Sequence, residues 1–317
     1  MEIRNLGRSG LRVSLVGLGC NNFGGRIDLD ATRRVVHRAL DLGITLFDTA
    51  DYYGNRGGSE SQLGEVLGDR RKDIVLATKF AFPMDDAETL KGASRRYIMS
   101  AVEGSLRRLR TDWIDLYQLH RPDPLTPIEE TLRALDDLVH QGKVRYLGCS
   151  NLAAWQVADA DWTSRYHELN AFICAQNEYS LLARDVERDL FPALRVYGLG
   201  FLPFYPLAGG LLTGKYKRNQ PLPEKARLSY VKASADRFLT ERNWVKVEPL
   251  EAFCAERGKS LVELAFGWLA SRAPVSSIIA GATTPEQIDT NVRAVAWQLQ
   301  PDDVAEVDRI QGANDRG

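Results

Sequence analysis

Eight short apolar runs punctuate the chain, and hydrophobic residues recur at helical spacing between them. The runs are Leu15–Gly19, Ile44–Phe47, Ile74–Thr78, Ile114–Leu119, Val144–Cys149, Phe172–Ala175, Leu199–Pro203 and Ser277–Ala280. Each is almost continuously apolar, as parallel strands buried on both faces are. Between two of them, Ile98, Ala101, Val102, Leu106 and Leu109 share one helical face. Eight alternating strand–helix units predict an α/β fold, a (β/α)8 TIM barrel, with residues 1–317 as a single domain. A doubly wound sheet is the alternative. It is weakened because Gly17-Leu18-Gly19 opens like a dinucleotide fingerprint but GLGCNN lacks the third glycine.

Local signals refine the frame. The opening IRNL-GRSG-LRVS predicts an N-terminal β-hairpin turning at Ser9-Gly10. Ser59-Glu60-Ser61-Gln62, Thr126-Pro127-Ile128-Glu129 and Thr284-Pro285-Glu286-Gln287 read as helix-starting capping boxes. The helix after Thr126 passes through Leu132, Leu135 and Leu138 and should stop at Gly142. Between strands seven and eight the spacing stretches. The surplus, about 207–244, is polar and carries Pro221 and Pro223. Long segments of this kind are usually functional or disordered, and this one reads as a long loop over the barrel mouth.

Lys plus Arg number 41 against 42 Asp plus Glu, a net charge of −1. General affinity for nucleic acid or an anionic membrane is not expected from this balance. No apolar run reaches the roughly 18 residues of a membrane helix, and MEIRNLGRSG has no secretory h-region. Cys20, Cys149, Cys174 and Cys254 form no C-x-x-C pair. They point to reduced thiols in the cytoplasm and to neither a zinc site nor a redox motif. Oligomeric state leaves no sequence signature.

Barrels build active sites at the C-terminal ends of their strands. Here those ends carry Asp48 (then Tyr52 and Tyr53), Lys79, His120, Ser150-Asn151, Gln176-Asn177, Phe204-Tyr205 and Gly281. Singly, each has an ordinary reading: a solvated lysine, a packed tyrosine, a structural histidine. A barrel brings them to one place, and together they suit carbonyl reduction. A carbonyl receiving hydride needs a proton. Tyrosine is a weak acid, with an unperturbed pKa near 10, and an adjacent ammonium lowers that value. A carboxylate holds the lysine, and a histidine orients the substrate oxygen. No metal is needed, and no H-E-x-x-H spacing occurs.

The segments FDTADYYG, ATKF, IDLYQLH, GCSN, QNEYS and PLAGGLLTGKY resemble the aldo-keto reductase superfamily, in that family's order, from residue 3 to about 312. The resemblance implies a barrel that binds NADPH, sometimes NADH, without a Rossmann fold. It implies reduction of aldehydes and ketones to alcohols, or the reverse. By position Asp48, Tyr53, Lys79 and His120 match the catalytic tetrad, with Tyr53 as general acid because the family spacing is Asp-x4-Tyr. Ser150, Asn151 and Gln176 match residues that bind the nicotinamide carboxamide. Phe204 stands where an aromatic, often Tyr, stacks on the ring. Leu207, Gly209, Leu212, Gly214 and Lys215 match the glycine-rich segment over the pyrophosphate. Gly281, Thr283, Gln287 and Asn291 match the adenosine end. The run Gly209–Lys215 also satisfies G-x-x-x-x-G-K, but Tyr216 replaces the Ser or Thr of a P-loop.

For the 2′-phosphate of NADPH, the turn Gly281-Ala282-Thr283-Thr284-Pro285 offers no cation. A helix N-terminus and two hydroxyls remain. Substrate-facing candidates are Asn21, Asn22, Phe23, Tyr52, Phe80, Phe82 and Arg121; Arg121 suits an acidic or hydroxylated substrate, but its ordinary reading is a pair with Asp123 or another carboxylate. A small carbonyl compound is the implied partner. The alternative function is a cofactor-binding regulatory subunit of the same fold with little turnover. No long segment precedes the hairpin, which favours the free enzyme. A barrel isomerase or hydrolase would not account for Ser150-Asn151 with Gln176.

Overall fold

The hairpin forms as expected. In the computed structural model, which describes residues 1–224 and 226–312, β1 (Ile3–Asn5) pairs antiparallel with β2 (Arg12–Ser14). Leu6 and Val13 from this hairpin are fully buried with Leu46, Ala77, Leu116, Cys174, Leu202 and Ile279 from the barrel strands. The hairpin therefore plugs the end of the barrel away from the strand ends listed above. Its turn sits so close to the barrel that a Cβ on Gly7, at φ +61°, would lie 2.4 Å from the Gly200 nitrogen. Only glycine fits both the backbone angle and the gap.

Eight parallel strands follow: β3 (Val16–Gly19), β4 (Leu46–Asp48), β5 (Val75–Phe80), β6 (Ile114–Leu119), β7 (Val144–Ser150), β8 (Phe172–Gln176), β9 (Gly200–Phe201) and β10 (Ile278–Gly281). Their order is β10-β3-β4-β5-β6-β7-β8-β9. The two edges meet where Ser276 N–H donates to the Phe201 carbonyl (2.9 Å) and Ile279 N–H to the Pro203 carbonyl (3.1 Å). The (β/α)8 expectation is met. β9 is shorter than the run Leu199–Pro203 because Pro203 has no N–H to give to a ladder.

The helices are α1 (Leu29–Asp41), α2 (Tyr53–Leu67), α3 (Arg95–Leu109), α4 (Ile128–His140), α5 (Ala154–Tyr166), α6 (Leu190–Tyr197), α7 (Arg227–Tyr230), α8 (Lys232–Phe238), α9 (Glu241–Glu256), α10 (Leu261–Ala270), α11 (Pro285–Ala294) and α12 (Pro301–Gly312). A second apolar layer joins the outer faces of the strands to these helices. Helix α4 ends at His140 and the chain turns at Gly142, φ 73°, as its sequence implied.

The three capping boxes do not form. Ser59 lies inside α2, beyond the left-handed residues Gly54–Gly57, and its hydroxyl donates to the Cys20 carbonyl at 2.7 Å. Thr126 donates to Asp123 at 2.8 Å, which leaves α4 without a side-chain cap. Thr284 does stand at the start of α11 with Pro285 next, but Gln287 accepts from the Thr283 N–H at 2.8 Å instead of closing the box. In each case a tertiary or neighbouring partner outcompetes the local one. The reciprocal box appears at Ser260 and Glu263, where α10 begins.

The segment 207–244 is not an open loop. It holds a 3-10 turn (Ala208–Thr213), α7, α8 and the first residues of α9. Leu228, Phe238 and Tyr216 are buried and pin it down, and the Tyr216 hydroxyl accepts from the Leu228 N–H at 3.1 Å. These few apolar anchors are diluted by the polar residues around them, which is why the stretch reads as loop.

Candidate active site

Ladder pairing brings the ends of β4, β5 and β6 into register, and three ionisable side chains arrive at one point. Lys79 donates to Asp48 Oδ2 at 2.6 Å and to the Thr49 carbonyl at 2.9 Å. The other carboxylate oxygen, Oδ1, accepts from Gln176 Nε2 at 2.9 Å and Gln118 Nε2 at 3.1 Å. Both members of the ion pair are buried. Above the pair, the Tyr53 hydroxyl lies 3.4 Å from His120 Nε2. The Lys79 ammonium sits 5.1 Å from the centre of the Tyr53 ring.

Burial sets the protonation states. It pushes the Tyr53 hydroxyl above its ordinary value, Lys79 opposes this and Asp48 adds to it. The expectation that the lysine produces a net lowering is corrected here, because loss of solvation outweighs the ammonium. Tyr53 is thus a protonated phenol at neutral pH. For Lys79, burial works against the charge, but Asp48 and Tyr53 together outweigh it and raise the value. His120 is driven well below its ordinary value by burial, with Lys79 and Arg121 adding to the effect. Its ring is neutral at pH 7, and its buried Nδ1 has no hydrogen-bond partner.

Ser150 donates to the Gln176 carbonyl at 2.7 Å, and Asn151 Nδ2 reaches the His120 carbonyl at 3.0 Å. Asn151 takes a left-handed φ of 60°, which turns the chain out of β7. A cavity of about 850 Å³ opens over this group. Asp48, Tyr53, His120, Ser150, Asn151 and Gln176 line it, together with Phe204, Leu207, Gly209, Lys215, Gly281, Thr283, Gln287 and Asn291. Lys79 lies beneath its floor, fully buried. Leu212 and Gly214 do not line it. Leu212 packs in the apolar core, and Gly214, at φ 75°, turns the chain toward Lys215.

The mouth differs from expectation in three places. Phe23 and Phe80 are fully buried in the core and cannot contact a substrate. Arg121 lies over the Phe82 ring at 4.5 Å instead of pairing with Asp123, whose carboxylate takes the Ala93 N–H and the Thr126 hydroxyl. Phe82, Asn21 and Asn22 do line the cavity. Phe82 meets His120 edge-on at 4.5 Å and is flanked by Tyr52 at 5.3 Å.

Three contributors escaped the sequence reading. Gln118 was legible as the one amide inside the apolar run IDLYQL. Arg26 and Arg227 line the cavity from segments with no local motif. Burial and the nearby Arg26 charge lower the Lys215 value, so these two cations stand close. The charged residues of the lining include Arg26, Lys215, Arg227 and Asp48, the last paired with Lys79. Among the described residues no helix is long and apolar enough to cross a membrane.

The model of the Aldo/keto reductase family matches residues 15–311. The chain belongs to that family. The family generally works as oxidoreductases with a nicotinamide cofactor. A "Probable voltage-gated potassium channel subunit beta" of Oryza sativa subsp. japonica is 38% identical over 98% of this chain and 96% of its own length. An "Uncharacterized oxidoreductase YrpG" of Bacillus subtilis (strain 168) is 38% identical over 94% of this chain and 92% of its own. An Arabidopsis thaliana protein bearing the same channel-subunit description is also 38% identical, over 93% of this chain and 91% of its own length.

Proposed function

We propose that this aldo/keto reductase, a single domain over residues 1–317, reduces aldehydes and ketones to alcohols, and reverses the reaction, with NADPH in preference to NADH. The observation that carries the reading is the Tyr53 hydroxyl, 3.4 Å from His120 Nε2 and facing the cavity above a buried Lys79–Asp48 pair. Bound NADPH supplies the hydride. Tyr53 gives its proton to the substrate oxygen. A neutral His120 hydrogen-bonds that oxygen and holds the carbonyl in line. As the phenol proton leaves, the Lys79 ammonium stabilises the developing phenolate. Asp48 fixes the ammonium, and Gln118 and Gln176 fix Asp48.

Ser150, Asn151 and Gln176 hold the carboxamide, and Phe204 stacks on the nicotinamide. Leu207, Gly209 and Lys215 cover the pyrophosphate. Gly281, Thr283, Gln287 and Asn291 receive the adenosine end. Lys215 adds a positive charge to the cavity wall, which supports a phosphate-bearing cofactor. Four free, buried cysteines support the cytoplasm as its compartment. The names of the rice and Arabidopsis relatives support a second reading, a cofactor-binding channel subunit with little turnover. Measuring NADPH consumption with a panel of aldehydes and ketones separates the two. Turnover that Tyr53→Phe removes supports the reductase; tight NADPH binding without turnover of any carbonyl supports the subunit.

A further inference from the structure

Strand β5 places consecutive side chains on opposite faces, as pleated strands do. Lys79 points into the barrel and meets Asp48. Thr78 points outward, and its hydroxyl donates to Glu60 Oε1 on α2 at 2.5 Å. Arg108 Nε on α3 donates to the other Glu60 oxygen at 2.7 Å. A second buried polar cluster therefore backs the strand that carries Lys79, and no step of the reaction uses it. Asp51 belongs to this cluster. The residue is 1% exposed. Its carboxyl Oδ2 accepts from the Tyr97 hydroxyl at 3.2 Å, and its Oδ1 makes no hydrogen bond. Neither Asp51 nor Tyr97 lines the cavity.

We infer that Asp51 and Tyr97 are positioning residues for Tyr53, tying the turn that carries the phenol to the first turn of α3. The inference rests on the reading of Tyr53 as proton donor. Asp51 stands between Asp48 and Tyr53 on that turn. Its N–H donates to the Lys79 carbonyl at 3.0 Å, and the Tyr53 N–H donates to the Ala50 carbonyl at 3.2 Å. These backbone links run along the turn and the strand edge; the Asp51 carboxyl carries the link outward to a helix. Tyr97 is a firm post, because it is buried and its N–H donates to the Ser94 cap at 3.3 Å. Support from the other side of Tyr53 is poor. Asn55 and Arg56 hold left-handed φ angles of 58° and 65°, which side-chain-bearing residues rarely adopt. The carboxyl also suits a neutral link. It is dry, and Glu60 has already taken Arg108, so an ionised Asp51 would be costly. Burial and the Glu60 charge push it up to about 8, against Arg108, the Tyr97 hydroxyl and the Tyr52 N–H. Tyr97 and Tyr117 beside it stay protonated, since burial raises both. Lys79 and Asp48 lie across β5.

Steady-state reduction with NADPH by Tyr97→Phe, Asp51→Leu and Asp51→Asn tests this, together with amide hydrogen exchange of the NADPH complex at residues 48–53. Tyr97→Phe keeps the ring and removes only the hydroxyl. It should lower kcat by about tenfold to a hundredfold, the scale on which a displacement of about 1 Å acts. KM for the carbonyl and NADPH affinity should be nearly unchanged. Exchange at 48–53 should speed up, and exchange along β6 and β7 should not. Asp51→Asn keeps an acceptor and should lose less turnover than Asp51→Leu. Wild-type turnover should decline as pH rises past about 8, where Asp51 ionises, and that of Asp51→Asn should not. If Asp51→Leu fails to fold, Tyr97→Phe decides. Wild-type kcat in Tyr97→Phe, a loss that falls on KM instead, or unchanged exchange at 48–53 overturns the inference. If wild type turns over no carbonyl, the reductase reading fails, and the exchange rates still decide whether Tyr97 holds the turn.

Discussion

Lys79 and Asp48 meet at 2.6 Å with neither side chain open to solvent. Removing one partner strands a buried charge, which costs about 3–5 kcal/mol, whereas the intact pair contributes much less. Asp48→Ala should therefore lower the denaturation midpoint strongly, and Asp48→Ala/Lys79→Met should be less destabilised than Asp48→Ala alone. Chemical denaturation of the three proteins measures this. Equal or greater destabilisation of the double variant would show that the pair is not the source of the loss.

The same pair acts on Tyr53 as a unit, so rates should be non-additive. Lys79→Met should depress turnover far more than removal of an exposed lysine, and Asp48→Asn less than Lys79→Met. Single-turnover rates of Lys79→Met/Tyr53→Phe should fall little below those of the worse single variant.

Two buried groups make stability depend on pH in opposite directions. His120 in the folded protein titrates well below its ordinary value of 6.5 because of burial, Lys79 and Arg121. Its contribution is complete above pH about 6.5 and declines as pH falls below that, where the unfolded chain takes up the proton first. His120→Asn should flatten this acid limb. Asp51 is pushed up from 3.8 to about 8 by burial and by Glu60, against Arg108 and the Tyr97 hydroxyl. The unfolded carboxyl ionises first, so stability from this group declines as pH rises from about 4 to about 8. Asp51→Asn should be more stable than wild type at pH 8, by an order of a few kcal/mol. Thermal denaturation across pH for both variants checks the two signs.

How much of this was legible in the sequence follows from how far each signal reaches. Asp48, Lys79 and His120 sit at the ends of apolar runs, and a barrel gathers its strand ends, so three separate runs sufficed to predict their meeting. Arg26 and Arg227 reach the cavity from a turn and from a strap, and no periodicity marks such a side chain. The boxes at Ser59 and Thr126 failed because Cys20 and Asp123, far off or just upstream, provide better partners than the helix start. The raised value of Tyr53 is set by burial of the phenol, a tertiary quantity that the sequence does not display beside the nearby lysine.

Cofactor preference should track the cationic wall. NADP⁺ is expected to bind more tightly than NAD⁺, with a gap that narrows at high salt, since partly exposed charges are screened. Thr283→Arg should widen the gap. Dissociation constants by calorimetry at low and high ionic strength test this; equal constants at low salt would point to a dual-cofactor enzyme.

The strap from 207 to 244 should tighten over bound cofactor. Lys215 and Arg227 on it face the cavity. Limited proteolysis between them should slow when NADP⁺ is added, and cleavage at an unchanged rate would remove the strap from the binding site.

The central claim is that Tyr53 delivers the proton, and a pair of neighbouring phenols tests it most directly. Tyr52 is 43% exposed and packs on Phe82, while Tyr53 faces His120. Steady-state reduction by Tyr53→Phe and Tyr52→Phe, with NADPH affinity measured alongside, distinguishes them. The account predicts that Tyr53→Phe loses nearly all kcat with cofactor affinity almost unchanged, and that Tyr52→Phe stays within a few-fold of wild type. Retained turnover in Tyr53→Phe, or a greater loss in Tyr52→Phe, would contradict it.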